Sequence, residues 1–334
     1  MRILTQSEVT DLLPMRECIA LMEDALASLS RGEVTLPLRS IMRVPNTRDV
    51  FGMMPAHSSA LPVFGVKLIT VFPGNHGTNL DSHQGAVLLF DGQSGTLSAM
   101  MDASSITAIR TAAVSAVATR LLAREDASAL ALIGSGVQAR THLEAIALVR
   151  KLSTVRVYSR SADHASAFAR WARRDLGIDV EVAATAELAV RSSDIVCTVT
   201  SSRDPVVQGA WLSPGMHLNV VGASQPDARE LDSDAVERCR LFADRRESLV
   251  NESADYLVPL REGRITEQHV AGEIGEILIG TVKGRRSADE ITLFKSLGLA
   301  VEDLAAAAHV YERAERENVG VTVALGGMRP TVNG

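Results

Sequence analysis

Residues 129–139 read Ala-Leu-Ala-Leu-Ile-Gly-Ser-Gly-Val-Gln-Ala, a short apolar run that ends in a G-x-G-x-x-A turn and is followed by a helical pattern to about residue 151. Between a strand and a helix, this turn is a dinucleotide-binding fingerprint. Gly134 permits the tight turn, Gly136 lets the backbone approach a pyrophosphate, and Ala139 allows close helix packing. Ser135, Val137 and Gln138 complete the segment, at a helix N-terminus that faces the phosphates. The next strand, at 155–158, ends in Tyr158-Ser159-Arg160-Ser161, where NAD-binding chains commonly carry an Asp or Glu for the ribose hydroxyls. The hydroxyls of Ser159 and Ser161 with the Arg160 guanidinium suit a 2′-phosphate instead, so NADP(H) is the expected cofactor, with NAD(H) also admitted. The alternative is that Arg160 only covers the adenine face or pairs locally.

Three cations fall in apolar patterns. Lys67 lies within Phe64-Gly-Val-Lys-Leu-Ile-Thr-Val71, where strand alternation puts it on one face with Ile69 and Val71. Burial lowers a lysine's pKa toward that of a useful proton donor; the bland reading is a lysine snorkelling at a sheet edge. Arg39, in Leu36-Pro-Leu-Arg-Ser-Ile41, carries a planar fork suited to a carboxylate. Arg110 sits on the stripe Ile106, Arg110, Ala113, Val117 of an Ala-rich helix and is either a ligand contact or an internal salt bridge. His57, His76, His83, His142, His217 and His269 give no i, i+4 pair, so no metal site is expected, and nothing resembles a nucleophile elbow. Cys197 reads as a small core residue.

The elements that must hold these residues fall into two textures. Thr5-Gln-Ser-Glu8 reads as a capping box before a short helix, with a second helix at 15–29. Short runs at 36–44, 50–54, 64–71, 86–90 and 96–101, punctuated by Pro, Gly and Asn, predict an antiparallel sheet. A long helix at 104–123 follows. From residue 129 strands alternate with helices: strands at 129–133, 155–158, 180–182, 195–200, 218–222 and 241–244, helices from the 134–139 segment to about 151, at 162–176 and around Glu187. That alternation predicts a Rossmann-type, doubly wound parallel α/β sheet. A last helix at 300–316 and a run at 321–323 pack back on the first texture. The expected division is residues 1–118 with 300–334 as an α+β domain, and 119–299 as the nucleotide-binding domain.

Composition closes off other classes. The 334 residues are 46% hydrophobic and 22% charged, which suits a globular chain. Lys and Arg total 34 against 40 Asp and Glu, a net charge of −6 that gives no reason to expect nucleic acid. Three widely spaced cysteines, Cys18, Cys197 and Cys239, without a CxxC pair, suggest a reducing compartment, hence the cytoplasm. The N-terminal stretch carries Arg2, Glu8 and Asp11 and lacks a signal-peptide core. The longest uncharged stretch, 205–226, is broken by Pro and Gly, so no membrane span is expected.

Taken together, Arg39, Met54-Pro55, Lys67, Ser82-His-Gln84, Ile109-Arg-Thr-Ala-Ala-Val-Ser115, Gly134-Ser-Gly-Val-Gln-Ala139 and Gly222-Ala-Ser-Gln-Pro-Asp-Ala-Arg-Glu-Leu-Asp232 resemble the ornithine cyclodeaminase and mu-crystallin family. Glu273-Ile-Gly-Glu276, Thr292-Leu-Phe-Lys-Ser-Leu-Gly298 and Val301-Glu-Asp303 extend the likeness nearly to the C-terminus. The resemblance implies a homodimer, with the N-terminal sheet and C-terminal helix forming a dimerisation and substrate domain. It implies that Arg39, Met54, Lys67 and Arg110 surround the substrate, Arg110 also meeting the nicotinamide. It further assigns Thr111, Thr200, Val220, Gly222 and Ser296 to the cofactor. Cyclodeaminases read G-[AG]-D-x-P-G-K in the loop where this chain has Ser224 at the catalytic Asp position, Asp227 at the Gly and Ala228 at the Lys. An unassisted serine cannot act as a general base at neutral pH. The motif is similar instead to the mu-crystallin type, which includes ketimine reductases. The expected activity is therefore NAD(P)H-dependent reduction of a cyclic imino acid, Δ1-pyrroline-2-carboxylate or Δ1-piperideine-2-carboxylate, with Lys67, Arg39 and Ser224 at the reacting centre. Ornithine cyclodeaminase, alanine dehydrogenase or a non-enzymatic small-molecule binding protein are the alternatives.

Overall fold

The computed structural model describes residues 1–75 and 77–327; His76 lies outside the described residues. The chain forms two compact units. The first comprises Met1–Pro14, Gly32–Thr107 and the described chain from Ala300; the second comprises Met15–Arg31 and Ala108–Leu299.

The first unit is built on an eight-stranded sheet. Strands Val50–Ser58, Val63–Val71, His83–Asp91 and Leu97–Asp102 form an antiparallel meander. Helix Ala300–Glu317 covers one face of it, packing on the first three of these strands. Alternation turns Met54, Ala56, Ile69, Val87, Leu89, Ala99 and Met101 toward the buried face. Gly65 lies directly under the helix: a Cβ there would be 2.5 Å from Leu304 Cδ1.

Two expectations change here. The sheet is mixed, because Arg2–Leu4 forms an additional strand, parallel to Leu97–Asp102 and antiparallel to Val321–Thr322. A three-residue strand is too short to leave an alternating signal; Arg2 anchors it through Glu315 at 2.7 Å. The run 36–44 pairs only over Ser40–Arg43, since Pro37 has no N–H to offer a ladder. The capping box is present, with the Thr5 backbone N–H donating to Glu8 Oε2 at 2.8 Å.

The second unit is a doubly wound α/β structure. Its eight strands run in the order Glu181–Val182, Thr154–Tyr158, Ala129–Ile133, Ile195–Thr198, His217–Val220, Thr292–Lys295, Arg240–Ala243, Val270–Glu273, and every pair is parallel. The strand order reverses between Ala129–Ile133 and Ile195–Thr198, and in such sheets the ligand crevice lies outside the carboxyl ends at that point. Ala131, Ile133, Val196, Leu218, Leu241 and Leu293 belong to one continuous core. Strands Val270–Glu273 and Thr292–Lys295 were not expected; at four residues each, they lack a readable period.

Helix Met15–Ser30 belongs to this unit, not to the first as the expected division had it. Gly275 explains this, because any Cβ there would overlap the Leu26 carbonyl oxygen, so only a glycine lets helix Ile274–Leu278 approach so closely. The division between units falls inside helix Ala103–Leu122, after Thr107, and residues 108–118 go with the second unit. Among the described residues no helix is long and apolar enough to cross a membrane.

Candidate active site

In the first unit the sheet register lines up the expected substrate residues. Met54 pairs with Lys67, Lys67 with Val87, and Val87 with Met101, so all four side chains share the helix-covered face. Lys67 is 3% exposed and stands on a strand paired on both sides, not at a sheet edge. Its Nζ lies 2.7 Å from Asp303 Oδ2 and 3.4 Å from Thr107 Oγ1. Asp303 is in the first turn of helix Ala300–Glu317 and equally buried. A buried lysine of this kind needs a counter-charge, and Asp303 supplies it. Arg39 immediately precedes Ser40, which pairs with Met53. Arg39 therefore sits in the unpaired stretch just before this strand, on the side of Val50–Ser58 away from Val63–Val71. The residue is half-buried.

Nothing local in the sequence assigns Asp303 a role. Its place in a helix first turn gives acids a bland explanation, attraction to the helix dipole.

In the second unit the fingerprint takes the geometry a pyrophosphate needs. Gly134 has φ +118°, and a Cβ there would come 2.7 Å from the Val199 carbonyl oxygen across the switch point. Around Gly136, by contrast, nothing among the described residues lies within 4 Å of where a Cβ would be, and none of their side chains caps helix Val137–Val149. Ser135, Gly136, Val137 and Gln138 are all accessible, while Ala139 is packed away. The loop therefore offers open backbone at a helix N-terminus, which fits a dinucleotide. Arg160 is exposed just past the end of Thr154–Tyr158. Ser161 Oγ already accepts the His164 N–H at 3.2 Å as a helix cap, and Ser159 Oγ accepts the Ser161 N–H at 3.4 Å.

The remaining expected positions gather at the carboxyl edge of this sheet. Val220 ends its strand and accepts the Ser296 N–H at 3.0 Å. Thr200 and Gly222 head the turns after two adjacent strands. Arg110, 4% exposed, and Thr111 lie on helix Ala103–Leu122; the Arg110 guanidinium comes so close to Gly298 that a Cβ there would be 2.6 Å from Nη1. The turn carrying Gly298 is held by Asp244, whose Oδ2 accepts the Leu297 and Gly298 N–H groups at 2.6 and 2.7 Å. Ser224 is half-buried in the loop after Gly222. Asp227 is exposed and ion-paired with Arg203.

The histidines have other occupations. His142 donates from Nδ1 to the Gln138 carbonyl at 2.7 Å and contacts Ser115 Oγ through Nε2 at 2.9 Å. Burial pushes its pKa down to about 4. Burial, with the Arg285 cation adding to it, pushes His217 down to about 3. Both are neutral core groups. Burial likewise pushes the Cys197 thiol up to about 12, as for a packed, unreactive cysteine. Among the described residues no group of three or more His, Cys, Asp and Glu is arranged to hold a metal.

Comparison with known proteins adds four findings. The model of the ornithine cyclodeaminase/mu-crystallin family matches residues 1–318. The ketimine reductase mu-crystallin of Mus musculus is 40% identical over 294 residues, 87% of this chain and 90% of that protein. The structure of Thermococcus litoralis Δ1-pyrroline-2-carboxylate reductase in complex with NADH and L-proline superposes with a TM-score of 0.95 at 40% identity, covering 97% of this chain and 100% of that one. An archaeal alanine dehydrogenase dimer with bound NAD superposes with a TM-score of 0.92 at 33% identity, covering 98% and 99%.

Proposed function

This chain belongs to the ornithine cyclodeaminase/mu-crystallin family, and from that premise we propose that it is an NAD(P)H-dependent reductase of cyclic imine carboxylates. The substrates are Δ1-pyrroline-2-carboxylate or Δ1-piperideine-2-carboxylate, the products proline or pipecolate. The observation that carries this reading is the buried Lys67–Asp303 pair. Reducing C=N to CH–NH takes one hydride and one proton. Arg39 clamps the substrate carboxylate through its fork, fixing the ring. The Lys67 ammonium supplies the proton to the ring nitrogen. Asp303 orients that ammonium and offsets the desolvation of its charge. The nicotinamide, when bound, supplies the hydride. Met54, paired with Lys67, completes the substrate surroundings within the first unit, and Ser224 in the second offers a hydroxyl that does not titrate.

For the cofactor we favour NADP(H), with NAD(H) also used. Arg160, exposed where an acidic residue would otherwise select NAD, supports this. We also propose a homodimer. The sheet face away from helix Ala300–Glu317 presents Met53 at 41% and Phe64 at 46% exposure, an apolar surface that a second copy would cover. Cys197 and Cys239, buried as free thiols, support a cytoplasmic location.

The test is a panel of five- and six-membered cyclic imines, with and without the carboxylate, followed by NADPH and NADH absorbance. Oxidation of cofactor only with the carboxylate-bearing imines is expected. Tight nucleotide binding with no turnover on any imine would reject the enzyme and leave a binding protein.

A further inference from the structure

Glu230 lies wholly inside the second unit, yet its carboxylate is the meeting point of two turns at the sheet's carboxyl edge. Oε1 accepts the Thr200 N–H and the Thr200 hydroxyl, both at 2.7 Å. Oε2 accepts the Gly222 N–H at 2.7 Å and the Thr198 hydroxyl at 2.8 Å. Each oxygen thus takes one backbone N–H, which can only donate, so both oxygens must act as acceptors. An ionised carboxylate meets that demand and an amide does not. The packing is equally specific: a Cβ on Gly222 would overlap the Thr200 carbonyl oxygen and come 2.6 Å from Glu230 Oε1.

Glu230 is itself fixed from below. Asp255 Oδ1 accepts the N–H groups of Glu230 and Leu231 at 2.9 and 3.0 Å. Lys295 Nζ lies 3.0 Å from Asp255 Oδ2 and donates to the Ala223 carbonyl at 2.5 Å. Two carboxylates and one ammonium are thereby buried together. Burial pushes the Glu230 carboxyl up, and the Lys295 charge draws it back. Buried ion clusters are poor sources of stability compared with apolar packing. What this one provides is a fixed geometry for 200, 222 and 223, the backbone just before Ser224.

We propose that Glu230 is a positioning residue for the nicotinamide half of the cofactor, acting through the Thr200 and Gly222 turns. This rests on the dinucleotide reading above. The fingerprint loop that would take the pyrophosphate, and the Ser159-Arg160-Ser161 segment that would take the adenosine end, make none of these contacts. The adenine half should therefore be indifferent to Glu230.

The experiment measures equilibrium binding of NADPH and of 2′-phospho-ADP-ribose, which ends before the nicotinamide, to the full-length wild type, Glu230→Gln and Glu230→Asp. Glu230→Gln is expected to weaken NADPH about 10-fold or more while 2′-phospho-ADP-ribose stays within about twofold; Glu230→Asp, which keeps the charge, should lose less. Equal losses for both ligands, or none for either, would overturn the proposal. If Glu230→Gln does not fold, Thr198→Val decides the matter. Thr198 is fully buried, so its hydroxyl can influence a bound ligand only through the carboxylate. Weakening confined to NADPH supports the proposal, and unchanged or equally weakened binding overturns it. Because the readout is binding, a mistaken imine substrate would leave the comparison intact; a wild type that binds neither ligand would overturn the NADP(H) preference alone, and NADH with ADP-ribose then makes the same comparison.

Discussion

Lys67 Nζ and Asp303 Oδ2 stand 2.7 Å apart on a strand and a helix from opposite ends of the chain, both side chains 2% exposed. Removing one member of such a pair strands a buried charge, at a cost of about 3–5 kcal/mol. Lys67→Met should therefore lower both stability and turnover, the latter roughly 10²-fold or more if the lysine supplies the proton. The two effects separate in Lys67→Met/Asp303→Leu, which removes both charges. Urea unfolding of the double variant should recover most of the lost stability while turnover stays low. A stable double variant that reduces imines at near wild-type rate would remove Lys67 from the chemistry.

Cofactor choice should follow Arg160. Arg160→Ala deletes a charge-assisted contact worth about 1.5–3 kcal/mol, felt only by a cofactor bearing the 2′-phosphate. KM for NADPH should rise at least about 10-fold while KM for NADH changes little. A uniform rise would mean that Arg160 only covers the adenine, in which case the capping role of Ser161 is the main business of that turn.

Much of this arrangement was legible in local sequence, and what was not depended on distance along the chain. The fingerprint at Gly134–Ala139 and the strand holding Lys67 announced themselves through glycine spacing and period-two alternation. Lys67 stood out because a cation interrupted an apolar face. Asp303 did not, since an acid in a helix first turn is ordinary, and only folding shows that it meets the lysine. Glu230 hid for a related reason. Arg-Glu-Leu-Asp carries no periodic signal of its own, and nothing local reveals that Thr198, Thr200 and Gly222 converge on the Glu230 carboxylate. The four-residue strands Val270–Glu273 and Thr292–Lys295 are specified by pairing with neighbours, not by their own composition.

Stability should fall in mild acid through two histidines. The folded chain holds His142 and His217 neutral, pushed down to about 4 and about 3, whereas unfolded histidine titrates near 6.5. Below about pH 6.5 the unfolded state takes up protons that the folded state refuses, so the stability present above that pH is lost as pH falls toward 4. Each histidine contributes a slope of up to about 1.4 kcal/mol per pH unit. Glu230, raised by burial, works in the opposite sense, so variants decide the point better than the wild-type slope. Chemical denaturation of His142→Asn between pH 7 and 5 should show roughly half the wild-type loss. An unchanged slope would mean that other groups set the acid limit.

The choice between imine reduction and cyclodeamination turns on Ser224 and Asp227. Cyclodeamination passes an amino acid through oxidation, loss of ammonia and re-reduction, and each stage moves protons at the amine, which calls for a carboxylate within reach. Reduction of a preformed imine needs one proton and one hydride, and Lys67 can provide the proton. The loop carries a hydroxyl at 224, while the nearby Asp227 carboxylate is exposed and paired with Arg203. Ser224→Ala should accordingly cost only a modest factor in imine turnover, about 10-fold or less, the scale of one lost neutral hydrogen bond. Ornithine with NAD should release no ammonia. If ornithine is cyclised, and the activity disappears in Asp227→Asn, then the aspartate leaves Arg203 to act as the base and the reductase assignment falls.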